Sequence, residues 1–158
     1  MDTHRYRTAL AWHGSTAEGY RTYSRAHAVS APPADATLHL SADAAFRGDA
    51  ALLNPEQLLV AAASSCLLLM FLGEAARAGV DVVDYADDAE GELRDGRIAR
   101  IVLRPRVRVR SGSAAGVEGQ VAARVDALLR TAHEGCYIAN SLTSDVALEP
   151  VIETEVAA

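Results

Sequence analysis

Lysine is absent from this chain, and tryptophan occurs once and cysteine twice in 158 residues. Each shortage excludes something. All 15 basic residues are arginine, so a cation buried in this protein is an arginine or a protonated histidine. The two cysteines, Cys66 and Cys136, form no Cys-x-x-Cys pair, and no glycine-rich phosphate loop occurs, so neither a metal nor an organic cofactor is implied. Positive charge is in deficit: 21 acidic residues against 15 basic give a net charge of −6, which argues against nucleic acid or an anionic membrane as the main partner. A membrane span is lacking too. Residues 58–73 are 16 uncharged positions flanked by Glu56 and Glu74, short of the ~20 needed to cross a bilayer, and they read as a helix buried in protein. The opening MDTHRYRTALAW has no apolar core and no small-residue cleavage site, so the expected location is cytoplasmic, where both thiols stay reduced.

What is present is a globular composition, 50% hydrophobic and 23% charged, over the length of one domain. A chain of this size buries roughly two-thirds of its unfolded surface. Residues 4–12 and 19–29 read as a β-hairpin around the turn residues Gly14, Ser15 and Gly19, and ATLHLS at 36–41 alternates well enough for a third strand before the polar loop 42–52. Asn54, Pro55 and Gln57 then spell a helix start, with Asn as N-cap, Pro at the first helical position and Gln closing a capping box. That helix runs to Gly79 and is apolar on every face through its middle, as expected of a helix covered on all sides.

Residues 80–96 and 97–110 read as a second hairpin turning near Arg94, Asp95 and Gly96. Its later arm puts Ile101, Leu103, Val107 and Val109 on one face and Arg100, Arg104, Arg106, Arg108 and Arg110 on the other, a solvated sheet face. Pro105 suggests an edge strand or a bulge. SGSAAG at 111–116 is a turn, and Val121, Val125, Leu128 and Leu129 have helical spacing within 117–133. Gly135 breaks that helix, a short one follows from Cys136 to about Leu142, and 145–156 closes as a strand. The order β-β-β-α-β-β-α-α-β, with no long linker, reads as a single α+β domain over 1–158.

A cysteine inside an apolar helix is most often a small hydrophobe. To act chemically it must be a thiolate, which needs a cation or a helix N-terminus close by. Cys66 lies 12 residues past Asn54, about 18 Å along a helix, so its own helix dipole cannot serve and an arginine or histidine from elsewhere must. An arginine beside a buried thiol itself wants a carboxylate. Glu56 is placed for that but lies ten residues, about 15 Å of rise, from Cys66. Either the helix breaks between them or the Glu56 of a second copy comes in across a two-fold interface, and the dimer is preferred. Cys136 opens a short helix after Gly135, a setting that favours thiolate character, and His133 stands close in sequence as a base. A zinc site of Cys66, Cys136 and His133 is disfavoured because it lacks a fourth ligand.

Two stretches together, NPEQLLVAAASSC and AHEGCYIANSL, resemble the superfamily of osmotically inducible protein C (OsmC) and the organic hydroperoxide resistance (Ohr) proteins, and the element order agrees over nearly the whole chain. The resemblance implies an OsmC-like fold, antiparallel sheets around a long buried central helix, in an intertwined homodimer with sites at the subunit interface. It implies a thiol peroxidase that reduces organic hydroperoxides in oxidative-stress defence. Carried over by position, Cys66 matches the peroxidatic cysteine, Cys136 the resolving cysteine and Glu56 the glutamate that pairs the catalytic arginine. Arg25 in TYSRAHAV fits that arginine, with Arg47 in AFRGD as the second candidate. The implied reductant is a dithiol, a lipoylated protein or a small thiol. The alternative is an OsmC-like binding protein that holds a small apolar ligand and has little or no peroxidase activity.

Overall fold

A computed structural model describes residues 3–111 and 117–156, so most of the turn expected at 111–116 lies outside the described residues. The chain forms two compact units, Met1–Leu58 and Leu59–Ala158.

In the first unit, β1 (Ala9–Ala11), β2 (His27–Ser30) and β3 (Thr37–Leu40) form an antiparallel sheet in that order, with Ala11 opposite Ala28 and His27 opposite Leu40. The first two strands are much shorter than their alternation suggested. Between them the chain folds on itself: Ser15 caps a 3-10 turn at Thr16–Glu18, and the Trp12 indole N–H donates to the Ser24 carbonyl at 2.8 Å. The loop after β3 carries a second 3-10 turn, Ala44–Phe46, capped by Asp43. Gly48 closes this loop so tightly that a Cβ there would lie 1.6 Å from the Ala42 carbonyl oxygen. The expected capping box is formed, with Gln57 N–H donating to Asn54 Oδ1 at 2.8 Å and Asn54 N–H to Gln57 Oε1 at 3.0 Å.

Helix α1 (Pro55–Arg77) starts at that box and runs unbroken into the second unit, where Gly79, in the left-handed region, terminates it. By length and composition alone it could cross a membrane, but one face is built into the protein. Ala63, Leu67, Phe71 and Ala75, four residues apart in succession, are buried against Ile101, Leu103, Val107 and Val109 and against Val125, Leu129 and Ala132 of α2 (Val117–Glu134). Full burial of Leu67 and Phe71 contributes about 1.5–3 kcal/mol each. The expectation that α1 is covered on all sides is not met by the chain itself: Ala61, Ser65, Leu69 and Leu72 form an exposed, nearly uncharged stripe.

The second hairpin is present but folded across its middle. Strands β4 (Val82–Asp87), β5 (Glu90–Arg94), β6 (Arg97–Leu103) and β7 (Pro105–Ser111) pair as β4 with β7 and β5 with β6. The closing strand splits likewise into β8 (Asp145–Leu148) and β9 (Val151–Val156), which run parallel to β6 and β7. Two three-stranded sheets result, β4-β7-β9 and β5-β6-β8. The fold is α+β, as expected, with nine strands among the described residues where the alternation suggested six. All three arms break at one level, beside Asp88, Arg104 and Pro150. Asp87 secures that corner by accepting the Arg104 N–H at 2.7 Å and the Ser64 hydroxyl of α1 at 2.5 Å. Pro105 is a correction: it opens β7, a central strand, tolerated there as the first residue after the break.

The arginine face is solvated and paired. Arg108 bridges Asp84 and Glu155, Arg110 bridges Asp81 and Glu155, and Arg104 reaches Glu90 and Glu149. Exposed pairs of this kind contribute about 0–1 kcal/mol each, so the face serves solubility and register more than stability.

Candidate functional site

The second unit brings the two cysteines together. Cys66 sits half-buried near the middle of α1, and Cys136, fully buried, is the N-cap of the one-turn helix α3 (Tyr137–Asn140). Met70, one turn past Cys66 on the same side of α1, packs its methyl where a Cβ on Gly135 would be only 3.1 Å away, so glycine there lets α1 approach the turn that carries Cys136. Both thiols are free, and Cys66 lies near enough to Cys136 to act on the ionisation of its thiol.

The electrostatics of Cys136 differ from the expectation. Its sulfur accepts the Ala139 N–H at 3.5 Å, as a residue opening a helix should. Even so, its pKa is raised: burial is the largest cause, and the hydrogen bond and negative charge of Cys66 add to it, outweighing the lowering by the Ala139 and Ile138 N–H groups. A single helical turn does not overcome desolvation here. The Nδ1 of His133 is buried without a hydrogen-bond partner. Among the described residues no three His, Cys, Asp or Glu side chains gather as metal ligands, so the zinc grouping of His133 with the two cysteines does not form.

The first unit holds the candidate arginines and Glu56. Arg25 donates to the carbonyls of Tyr23 at 3.0 Å and Tyr20 at 2.8 Å, and its guanidinium lies 4.2 Å from the Tyr23 ring centre and 5.1 Å from that of Tyr20. This combines cation–π attraction with charged hydrogen bonds. Arg47, in the left-handed region at the end of its 3-10 turn, approaches the same Tyr20 ring at 6.0 Å. A cavity of about 440 Å³ opens beside Arg25, walled by Leu10, Trp12, Tyr23 and Phe46, with Glu56 also on its lining. Arg25 and Glu56 thus share a cavity but make no ion pair with each other among the described residues. Because α1 is continuous from Pro55, Glu56 and Cys66 stay ten residues apart on one helix, about 15 Å of rise, and a break between them is excluded.

Sequence reasoning missed the aromatic cage of Arg25 and the contact of Met70 with Gly135. The first had a signal: Trp12, Tyr20 and Tyr23 crowd the stretch before Arg25 in a chain with few aromatics. The second had none, since it joins residues distant in sequence.

Three kinds of comparison bear on identity. The family model described as OsmC-like protein matches residues 48–150, which include Glu56, Cys66 and Cys136 but not Arg25. No curated protein matches the chain. Among solved structures, an OsmC-like protein of unknown function from Vibrio cholerae is 29% identical, with a TM-score of 0.80 over 94% of this chain and 100% of that one. An organic hydroperoxide resistance protein OsmC from Legionella pneumophila is 19% identical, with a TM-score of 0.63 over 96% of this chain and 99% of its own. An organic hydroperoxide resistance protein from Elizabethkingia anophelis is 15% identical, with a TM-score of 0.64 over 98% and 99%. The last two share the fold. With well over half of its length matched by the family model, the chain belongs to the OsmC-like protein family.

Proposed function

We propose that the protein is a cysteine-based peroxidase that reduces organic hydroperoxides, with Cys66 as the peroxidatic and Cys136 as the resolving cysteine. The observation that carries this reading is the nearness of two reduced thiols, one half-buried and one fully buried, on helices far apart in sequence that approach where Met70 meets Gly135. The Cys66 thiolate attacks the distal oxygen of ROOH; the O–O bond breaks, sulfur loses two electrons, and the alkoxide leaves and takes a proton to give ROH. Cys66 is then a sulfenic acid. The Cys136 sulfur attacks it, the S–S bond forms, the S–O bond breaks and water departs. A dithiol such as a lipoylated protein, or two equivalents of a small thiol, reduces the disulfide and is itself oxidised to a disulfide. No metal or organic cofactor enters the scheme. A reducing, cytoplasmic setting suits it.

In this reading Arg25, rather than Arg47, stabilises the thiolate and the leaving oxygen, because Arg25 shares its cavity with Glu56. With 15 Å of unbroken helix between Glu56 and Cys66, both Arg25 and Glu56 come from a second copy. The exposed stripe of Ala61, Ser65, Leu69 and Leu72 on α1 supports such a homodimer. The cavity walled by Leu10, Trp12, Tyr23 and Phe46 favours a second reading, a binding protein for a small apolar ligand.

Mass spectrometry after one equivalent of cumene hydroperoxide separates the two. The peroxidase loses two hydrogens as wild type, and Cys136→Ser traps a sulfenic acid on Cys66. Thiols that stay reduced for minutes, in a protein that still binds cumyl alcohol, would leave the binding reading. Light scattering of the same samples tests the dimer.

A further inference from the structure

We propose that Asn140 is a positioning residue for disulfide closure: it ties α3 to the end of α2 and so holds the Cys136 thiol against Cys66. The inference rests on the peroxidase reading above. Cys136 lies between Glu134, the last residue of α2, and Asn140, the last residue of α3. Asn140 fastens both sides of that segment. Its backbone N–H donates to the Cys136 carbonyl at 2.9 Å, and its side-chain amide donates to the Glu134 carbonyl at 2.9 Å. The Glu134 carbonyl is among those a helix leaves without an internal partner at its C-terminus, so this bond takes nothing from α2.

Between the two anchors, Cys136 Sγ accepts the Ala139 N–H, which couples the direction of the thiol to the backbone of α3. The α1 side is fixed independently by Met70 against Gly135. A one-turn helix has too few internal hydrogen bonds to hold its own place. The Cys136 N–H already donates to the His133 carbonyl of α2 at 3.1 Å, and the Asn140 amide adds a second link from the far end of α3.

The consequence falls on one chemical step. Closure is intramolecular: the Cys136 sulfur attacks the sulfur of Cys66 sulfenic acid, and the displaced oxygen leaves as water with the thiol proton. Its rate follows the fraction of time that the Cys136 sulfur spends within reach of Cys66. Attack of Cys66 on the hydroperoxide uses nothing that Asn140 holds.

Asn140→Ala, Asn140→Gln and Asn140→Asp are to be compared with wild type in rapid-quench mass spectrometry with cumene hydroperoxide. Asn140→Ala is expected to form sulfenic acid at the wild-type rate and to close the disulfide about three- to tenfold more slowly, the range of a single neutral hydrogen bond. Asn140→Gln keeps the donor and should recover part of the loss. Asn140→Asp puts an acceptor where the donor stood and should behave like Asn140→Ala or worse. A purely structural role would lower the melting temperature while folded protein closed at the wild-type rate, and that result, or an equal slowing of both steps, would overturn the proposal. Equilibration of the Cys66–Cys136 pair in glutathione redox buffers needs no peroxide: Asn140→Ala should shift the pair towards the dithiol by a similar factor, tenfold corresponding to about 30 mV. A wild type inert to hydroperoxide whose disulfide equilibrium still moves with Asn140→Ala would overturn the peroxidase reading alone. An unmoved equilibrium would overturn the positioning role.

Discussion

The packing of α1 on the β5–β6 hairpin can be tested at a single atom. Gly91 of β5 lies opposite Ile101, and a Cβ built there would be 2.5 Å from Val60 Cγ2, with Ile98 Cγ2 at 3.7 Å on the other side. Carbon atoms pack at about 3.5–4.0 Å, so an alanine at Gly91 needs roughly 1 Å of movement from a neighbour. Val60 cannot supply it cheaply, because a β-branched side chain in a helix has one strongly preferred rotamer. Overpacking of this kind costs about 1–3 kcal/mol, while replacing glycine returns about 0.4–1 kcal/mol through the unfolded state. Gly91→Ala should therefore destabilise by about 1–2 kcal/mol, a fall of about 2–8 °C in melting temperature for a chain of this size. Val60→Ala makes the room, so the double variant should be more stable than the two single changes predict by at least about 1 kcal/mol. Urea unfolding of all four proteins closes the cycle. A Gly91→Ala protein as stable as wild type, or a coupling indistinguishable from zero, would refute the close approach of β5 to α1.

Three further outcomes follow from the geometry. Gly48→Ala cannot keep the 42–48 loop, because the new Cβ overlaps the Ala42 carbonyl; the wall formed by Ala42, Asp43 and Phe46 should be lost, read as a shift in the emission of the single tryptophan, Trp12, which lines the same cavity. The Tyr85 hydroxyl is buried without a partner, and burial first, then Asp87, raises its pKa. A pKa raised by folding gives stability that is complete below the ordinary phenol range and is lost as pH rises towards the folded value. Tyr85→Phe should thus be neutral or stabilising by about 1 kcal/mol at pH 7 and should lose less stability above pH 10 than wild type in alkaline denaturation. Cys136 is raised chiefly by burial, a cause that persists after Cys66 has become an uncharged sulfenic acid. Its attack requires the thiolate, so the closure rate should still be climbing at pH 9, where an ordinary thiol would be levelling off; a plateau near pH 8 would contradict the buried environment.

Much of the fold was legible because its determinants are local. The capping box of Asn54 and Gln57 spans four residues and could be read directly. The core face of Ile101, Leu103, Val107 and Val109 follows from a period of two. The same periodicity concealed the corner between them, since alternation passes through Arg104 and Pro105 without a phase change while the hydrogen-bonding partners switch from β5 and β8 to β4 and β9. Nothing local announces that switch. The parallel course of β8 and β9 was hidden for a related reason, because a strand's direction relative to its neighbour is decided by where the chain has been, not by the strand's own residues. Arg25 illustrates a third kind of limit: sequence places the cation near Tyr20 and Tyr23 but does not fix the rotamer that sends both its donors to their carbonyls.

Helix α1 is where sequence and structure bear most directly on how the protein works. Its composition asks for apolar cover all round, and among the described residues full burial falls along Ala63, Leu67, Phe71 and Ala75, with Val60 and Met70 partly covered beside them. Leu69, two-thirds exposed, stands at the centre of the uncovered stripe, about one turn from Cys66 on the same helix. A charge at Leu69 would remain in water in a monomer and cost little, but across a subunit interface it would be buried without a partner. Leu69→Glu therefore discriminates: if a second copy covers this stripe and supplies Arg25 and Glu56 to Cys66, the variant should become monomeric by light scattering and lose hydroperoxide turnover together, with the Cys66–Cys136 pair intact in each subunit. Full turnover in a Leu69→Glu monomer would mean that one chain completes its own site, and the assignment of Arg25 and Glu56 to a partner copy would fall.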